Sequence, residues 1–452
     1  MSSAPTKVRV FGAVVRPLQA FLRTEAAGGI VLLGSALLAL FWANVHPQSY
    51  RAAFDFPLAI GVGDSFARFT LRLFINDFLM AVFFFVVGME IKRELVVGEL
   101  RDRRSVALPA MAALGGMIVP AAIYVAFNAG GDGASGWGIP MATDIAFALG
   151  VVALLGERVP SSVKVLLLTL AIVDDIGAIA VIAVFYADDL EPGLLLVALG
   201  VAAAVGVMHR ANVVYAPVLI VAGMALWLAV YESGVHATIA GVAMGLLTPA
   251  RPFQTELEAD EVVDILERRP DLNVEDIRTT ATAIRGSVSA CDRLIETLHP
   301  WTSYVIVPVF ALANAGIVLS ADAFSPPSAV LSGVAVGLVV GKLLGVAGFS
   351  WLAVRIGLGR LPDGARWGHI IGVATVAGIG FTVSLFIAGL AFDTGTLQTE
   401  AKIGTLTASI IAAASGAAIL TIVARSTRPT DKRQHKTPGT VEPGEPVAAP
   451  RR

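Results

Sequence analysis

Two adjacent aspartates stand in the middle of a long apolar run. Asp174 and Asp175 lie in the segment LAIVDDIGAI, residues 170–179, whose other members are all apolar residues or glycine. One ionised side chain at the centre of a membrane helix already costs roughly 2.5–3.5 kcal/mol on insertion. Two neighbouring carboxylates also repel each other, and either protons or a small cation bound by oxygen ligands relieves that repulsion. The pair is therefore predicted to be a site at which sodium ions and protons compete.

Three further ionisable side chains, Asp77, Asp144 and Lys342, also fall inside apolar runs. Asp144 follows a glycine-rich stretch that ends at Pro140, and a proline frees backbone groups and interrupts a helix. A second glycine-rich interruption, GIGF, occupies residues 378–381. If both helices are broken, Asp144 can offset the positive N-terminal ends of the half-helices, and Lys342 the negative C-terminal ends. Close helix packing at these glycines is the alternative interpretation.

The composition of the whole chain agrees with a membrane protein. Its 452 residues are 56% hydrophobic and only 15% charged, with a mean hydropathy of +0.76. Soluble domains carry about 25% charged residues, so an ordinary soluble enzyme is excluded, as is a disordered scaffold. The net charge of −2 provides no basic field for nucleic acid. A single cysteine, Cys291, excludes a disulfide framework within the chain.

Twelve apolar stretches approach the length of about 20 residues that a bilayer-spanning helix needs. The sequence therefore predicts an all-α polytopic membrane protein with about twelve transmembrane helices. The fourth and eleventh stretches hold the two glycine-rich interruptions, and each is second in a set of three, 105–186 and 328–424. Interrupted spans at corresponding positions of two halves indicate a binding site between repeats. The predicted spans are 26–44, 73–91, 105–127, 138–156, 162–186, 192–208, 213–231, 233–250, 299–320, 328–354, 367–392 and 403–424.

The distribution of lysine and arginine predicts the orientation of these spans. With the N-terminus in the cytoplasm, 28 of the 33 basic residues fall in inside segments, as expected for cytoplasmic loops. Both termini are therefore predicted to be cytoplasmic. The predicted organisation is a basic N-terminal segment, 1–25, which is either a membrane-surface helix or a polar tail; spans I–VIII, 26–250; a cytoplasmic loop, 251–298; spans IX–XII, 299–425; and a disordered tail, 426–452.

Eight segments of this sequence, in the same order along the chain, resemble the NhaA family of bacterial sodium/proton antiporters. The resemblance extends from residue 20 to about residue 425 and implies inverted repeats with two broken helices that cross. The segments are INDFLMAVFFFVVGMEIKREL (75–95), MATDIAFALG (141–150), LAIVDDIGAI (170–179), GVHATIAGV (234–242), LHPW (298–301), FALANAGI (310–317), GKLLG (341–345) and GIGFTVSLFIAGLAF (378–392).

The resemblance also implies roles for individual residues. Asp174 and Asp175 match the aspartates that bind the cation and the protons, and Thr143 and Asp144 match supporting residues on the broken fourth helix. Lys342 matches a lysine that compensates charge at the crossing and can pair with Asp174. Activity is then expected to be electrogenic exchange of two protons for each Na⁺ or Li⁺ across the bacterial plasma (inner) membrane, with no cofactor.

Regulation by pH and dimer formation are further implications of the resemblance. A homodimer is expected, formed partly through an outside β-hairpin near residues 54–64. The loop at 251–290 is much longer than is usual in the family, and the pattern Ile295-Glu296 replaces an acid followed by histidine. The candidate pH-sensing residues are His236 and, in a cytoplasmic funnel, Glu90, Arg93, Glu94, Arg293, Glu296 and His299.

Three other functions are compatible with acids inside a membrane. Ion-coupled transport of an organic solute would need a roomier polar cavity than the few polar residues of these spans provide. An intramembrane aspartyl protease needs two carboxylates that face each other from different helices, whereas Asp174 and Asp175 are neighbours. A channel would need a continuous pore.

Overall fold

Apolar helices make up most of the chain that the computed structural model describes, residues 25–62, 65–101, 103–187, 190–211, 215–252, 286–319, 327–393 and 395–426. Within these residues, eight helices are long and apolar enough to cross a membrane, and a pair bent by 45° makes a ninth. Two shorter apolar helices accompany them. The predictions for the N-terminal segment, for most of the long loop and for the tail lie outside the described residues.

Each predicted span coincides with a helix or with a run of helical segments, so the all-α polytopic fold is confirmed. The two short 3₁₀ helices at Glu99–Arg101 and Gly156–Arg158 lie between spans. The α-helices are α1 (Glu25–Val45), α2 (Pro47–Phe54), α3 (Leu71–Phe74), α4 (Met80–Val96), α5 (Arg103–Asn128), α6 (Ile145–Leu154), α7 (Ser161–Phe185), α8 (Pro192–Arg210), α9 (Ala216–Glu232), α10 (Thr238–Leu247), α11 (Ala290–Trp301), α12 (Val307–Asn314), α13 (Ala329–Val336), α14 (Lys342–Arg355), α15 (Trp367–Val376), α16 (Phe381–Ala391) and α17 (Thr396–Ser426).

Three spans contain a π turn, which locally widens the helix and is frequent at functional sites. The turns at Ile75–Leu79, Thr302–Ile306 and Gly337–Gly341 join α3 to α4, α11 to α12 and α13 to α14. The last of them ends immediately before Lys342. A 3₁₀ helix, Ala134–Met141, forms the first half of the fourth span.

The ninth span begins at Ala290, nine residues before its predicted start. The side chain of Ser289 caps the helix by accepting a hydrogen bond from a backbone amide three residues on, at 3.0 Å. Cys291 is buried against α4, where its Sγ donates to the carbonyl oxygen of Met89 at 3.1 Å. The first turns of α11 carry charged residues on their other faces, which is why hydropathy alone does not detect them.

A two-stranded antiparallel hairpin follows α2, in the region where the sequence predicts one. Strand β1 is Pro57–Val62 and strand β2 is Ser65–Thr70, with Pro57 paired to Thr70. The hairpin runs six residues beyond the predicted end at 64. Thr70 closes it and starts α3, because its side chain accepts a hydrogen bond from the amide of Leu73 at 3.2 Å.

Glycines bring α5 and α14 into backbone contact, and this contact positions Lys342. A Cβ atom at Gly345 would collide with the carbonyl oxygen of Gly115, and one at Gly115 with the carbonyl oxygen of Gly345. Such close approach is typical of small-residue helix interfaces in membranes. Lys342 lies one turn away, with its Nζ 3.7 Å from where a Cβ on Gly116 would stand. Small residues therefore set the position of Lys342 relative to α5.

Candidate functional site

Two broken spans cross at the centre of the described structure. In the fourth span the 3₁₀ helix ends at Met141 and α6 begins at Ile145. In the eleventh span α15 ends at Val376 and α16 begins at Phe381. Each break leaves amides and carbonyls without intrahelical partners. Because an apolar core contains no bulk water, the protein itself must satisfy them.

Two hydroxyl groups satisfy carbonyls across the crossing. Thr143 Oγ1 donates to the carbonyl oxygen of Ala377 at 2.9 Å, and Ser384 Oγ donates to that of Ile139 at 2.7 Å. Each hydroxyl thus caps the C-terminal side of the other span's first half. Sequence reasoning predicted a supporting role for Thr143 but missed Ser384, whose only signal was its place in the segment 378–392.

Asp144 accepts hydrogen bonds at the N-terminal ends of both second halves. Its Oδ1 accepts from Phe147 N of α6 at 2.9 Å. Its Oδ2 accepts from Thr382 N at 3.0 Å and from Thr382 Oγ1 at 2.5 Å, both on α16. The backbone amide of Asp144 in turn donates to the carbonyl oxygen of Ile379 at 2.7 Å. This is the position from which a carboxylate offsets two positive helix ends, and both of its oxygens already have donors.

Lys342 forms a buried ion pair with Asp174 at the crossing. Its Nζ lies 2.6 Å from Asp174 Oδ2, and neither side chain has any exposed surface. The other oxygen, Asp174 Oδ1, is buried and has no hydrogen-bond partner among the described residues. Lys342 thus makes the pairing with Asp174 that the resemblance implies, while hydroxyl groups donate to the carbonyls at the two breaks.

Asp175 is buried beside this pair, with 7% of its surface exposed. Within the described residues its carboxylate has no hydrogen-bond donor, so its oxygens are free to take a proton or a cation. Asp174, Glu90, Asp144 and Lys342 are close enough for their charges to act on it. The described part of the chain holds no cluster of three or more His, Cys, Asp or Glu side chains suited to a metal ion.

The candidate pH-sensing residues lie on two helices that pack together. Glu90, Arg93 and Glu94 are near the end of α4, where Arg93 Nη2 is 3.5 Å from Glu94 Oε1. On α11, Glu296 and His299 are exposed, and Arg293 Nη1 donates to the carbonyl oxygen of residue 288 at 3.1 Å. Glu90 lies within electrostatic range of Arg93 and Glu94 and also of Asp175.

His236 and Asp77 occupy separate environments. The ring of His236 meets Phe386 of α16 edge-on, at a centroid distance of 5.3 Å, and its Nδ1 is 3.2 Å from Thr238 Oγ1. Asp77 lies half-buried in the π turn before α4, where its carbonyl oxygen is 3.5 Å from the indole nitrogen of Trp227. His236 therefore contacts a helix of the crossing, whereas Asp77 belongs to the packing of α4 against α9.

Comparison with known proteins identifies a family and relatives that match most of the chain. The profile of the family described as Na⁺/H⁺ antiporter 1 matches residues 19–420. A protein named Na(+)/H(+) antiporter NhaA from Anaeromyxobacter sp. is 49% identical over 435 residues, which cover 92% of this chain and 94% of that relative. Proteins of similar name from Frankia alni and Rhodopirellula baltica are 45% and 46% identical, over 91% and 92% of this chain and 89% and 96% of their own lengths.

Proposed function

Since the chain belongs to the Na⁺/H⁺ antiporter 1 family, we propose that it exchanges cytoplasmic sodium or lithium ions for external protons at Asp174 and Asp175. Membership of the family establishes sodium/proton antiport by a multi-pass bacterial membrane protein that is a secondary transporter and not an enzyme. The observation that carries the proposed site is the buried Lys342–Asp174 pair beside an Asp175 carboxylate to which no described residue donates a hydrogen bond.

A charge rule at the crossing accounts for obligate exchange. Asp144 offsets two helix N-termini and Lys342 neutralises Asp174, which leaves the charge of Asp175 uncompensated. A proton or a sodium ion on the aspartates brings the site close to neutrality. The empty, charged site is costly to move through an apolar barrier. Alternating access is therefore permitted with either ion bound and disfavoured with neither.

The same pair supports electrogenic exchange. Asp174 Oδ1 and the carboxylate of Asp175 are free to hold sodium together, but Lys342 Nζ is already 2.6 Å from Asp174 Oδ2. Sodium at Asp174 would compete with the ammonium, which either moves away or gives up its proton. Asp175 and Lys342 are thus two groups that can release protons when one sodium binds, and a ratio of two to one moves net charge. In this scheme the empty site has two ionised aspartates and a neutral Lys342, so it carries more charge than the sodium-bound site and is still the costliest to move.

Regulation by pH is assigned to the packed ends of α4 and α11. Glu90 couples electrostatically to Asp175 on one side and to Arg93 and Glu94 on the other, which supports a route from cytoplasmic pH to the site. His236, whose ring meets Phe386 of α16, is a further candidate. The protein is proposed to act in the plasma (inner) membrane as a homodimer with both termini in the cytoplasm, for sodium and pH homeostasis. The excess of basic residues in the predicted inside segments supports this orientation.

Asp175→Asn in inverted membrane vesicles tests the proposed site. The variant should abolish proton movement on addition of sodium, since the asparagine amide can neither release a proton nor provide the negative charge of the Asp175 carboxylate. Asp174→Asn should do the same. Asp77→Asn is the matched control, because it neutralises another intramembrane acid away from the crossing, and it should keep most of the activity.

Normal sodium-dependent proton movement in Asp175→Asn would refute the site, while leaving antiport by the chain intact. Wild-type protein in proteoliposomes tests the remaining parts of the proposal. Exchange should accept sodium and lithium, change steeply with pH, and accelerate when an imposed membrane potential favours inward movement of positive charge. A rate independent of the potential would exclude electrogenic exchange.

A further inference from the structure

Helix α17 supplies a hydrogen-bond acceptor for the break in the eleventh span. Phe381 is the first residue of α16, so its amide has no partner within that helix. Ser409 Oγ of α17 accepts from this amide at 3.2 Å and donates to the carbonyl oxygen of Thr405 in its own helix at 2.8 Å. Ser409 is 2% exposed, and no bulk water can replace it in an apolar core.

The next amide of α16 leads directly to the crossing. Thr382 N donates to Asp144 Oδ2 at 3.0 Å, so two successive amides are held by two different spans. The ring of Phe381 also packs against Phe147 at a centroid distance of 5.6 Å, and the amide of Phe147 donates to Asp144 Oδ1. Phe381 therefore contacts Ser409 through its backbone amide and lies beside Thr382 and Phe147, whose amides donate to the two carboxylate oxygens of Asp144.

Small residues let α17 follow the broken span closely. A Cβ atom on Gly378 would lie 3.3 Å from the Cβ of Ala412, and one on Gly416 would lie 3.1 Å from the backbone nitrogen of Val376. The face of α17 that carries Ser409 is thus packed against the break along more than one turn.

We propose that Ser409 is a positioning residue for the cation site, an inference that rests on the proposed function of the crossing. Its hydroxyl oxygen fixes the first turn of α16, and Thr382 keeps both of its hydrogen bonds to Asp144 only while that turn is held. Without the hydroxyl, the first turn of α16 shifts towards another acceptor. The compensation of the helix ends by Asp144 then weakens, and sodium binds less tightly although no group that touches the ion has changed.

Ser409→Ala and Ser415→Ala form a matched pair for the test. Both serines donate to a carbonyl of α17 one turn earlier, but among the described residues only Ser409 also accepts from another helix. In Ser409→Ala the amides of residues 377–390 should exchange with deuterium about fivefold faster. The sodium concentration that gives half-maximal sodium/proton transport in proteoliposomes should rise by a similar factor, and the maximal transport rate should stay within about twofold of wild type.

Ser415→Ala should change neither quantity, and Ser409→Thr, which keeps the hydroxyl, should restore both. Ser409→Cys, with a weaker acceptor of similar size, should be intermediate and serves if the alanine variant does not fold. Unchanged deuterium exchange at 377–390 in Ser409→Ala would overturn the positioning role. Faster deuterium exchange together with an unchanged sodium concentration for half-maximal transport would overturn the connection of Ser409 to the cation site. Full activity in Asp175→Asn would instead refute the proposed function and leave the deuterium result standing.

Discussion

Replacement of Lys342 by methionine tests the ion pair on which the charge rule depends. Lys342 and Asp174 are 2.6 Å apart, and both side chains are fully buried. Removal of one partner from a buried pair leaves an uncompensated charge, at a cost of about 3–5 kcal/mol. Asp174 Oδ1 already lacks a partner among the described residues, so after the substitution the carboxylate keeps no hydrogen bond from them. We therefore expect a loss near the upper end of that range.

Thermal unfolding of the purified protein in detergent measures the loss. At roughly 2 °C per kcal/mol, the melting temperature of Lys342→Met should fall by about 8–10 °C at neutral pH. The fall should be smaller at acidic pH, because a proton on Asp174 or Asp175 takes the place of the missing positive charge. Lys164→Met, at the half-buried start of α7, is the control and should melt within about 1 °C of wild type.

The double variant Lys342→Met with Asp174→Asn distinguishes a lost charge partner from lost packing. Replacing both members of a buried pair by uncharged groups is often close to neutral, so the double variant should recover most of the lost stability. Equal melting temperatures for the single and double variants would show that packing, and not charge, explains the loss. A Lys342→Met protein as stable as wild type would refute the reasoning altogether.

Two other substitutions test the surroundings of this pair. Gly345→Ala forces a Cβ atom onto the carbonyl oxygen of Gly115 and should lower the free energy of unfolding by about 1–3 kcal/mol. Gly348→Ala is the control, because a Cβ there meets no atom within 4 Å and should not destabilise the protein. Equal melting temperatures for the two variants would contradict the close contact of α5 and α14. Thr382→Val removes one of the hydrogen bonds to Asp144 and should lower the free energy of unfolding by about 1–2 kcal/mol. The sodium concentration that gives half-maximal transport in proteoliposomes should rise a few-fold. If that concentration does not change, the hydrogen bonds of Asp144 are not connected to cation binding.

The ionisable groups of the site could be predicted from the sequence because charges inside apolar runs stand out individually. Proline and glycine likewise marked both broken spans, since these residues interrupt helices by local rules. The partner of Lys342 could not be derived in this way. Asp174 is 168 residues away in the chain, and only the resemblance to a known family paired the two.

Two neutral groups at the crossing escaped prediction for a different reason. Ser384 and Ser409 are single hydroxyls in apolar helices, where such residues commonly donate to their own helix and have no further role. Whether a hydroxyl also meets a broken backbone depends on which helix lies opposite, and that is a property of the tertiary fold. The π turn before Lys342 similarly has no pattern in its sequence, GLVVG.

Hydroxyl groups and charged groups have different roles at the crossing, and this difference affects how the transporter can change state. Thr143 and Ser384 cap carbonyls at the crossing, and Asp144 caps amides, so these backbone groups have partners other than Lys342. In the proposed cycle Lys342 can therefore leave Asp174 when sodium arrives, with no helix end exposed to the apolar core. Were the ammonium required at those carbonyls, each sodium ion bound would also weaken the crossing. Neutral caps allow the charges that couple sodium to protons to move while the frame around them stays intact.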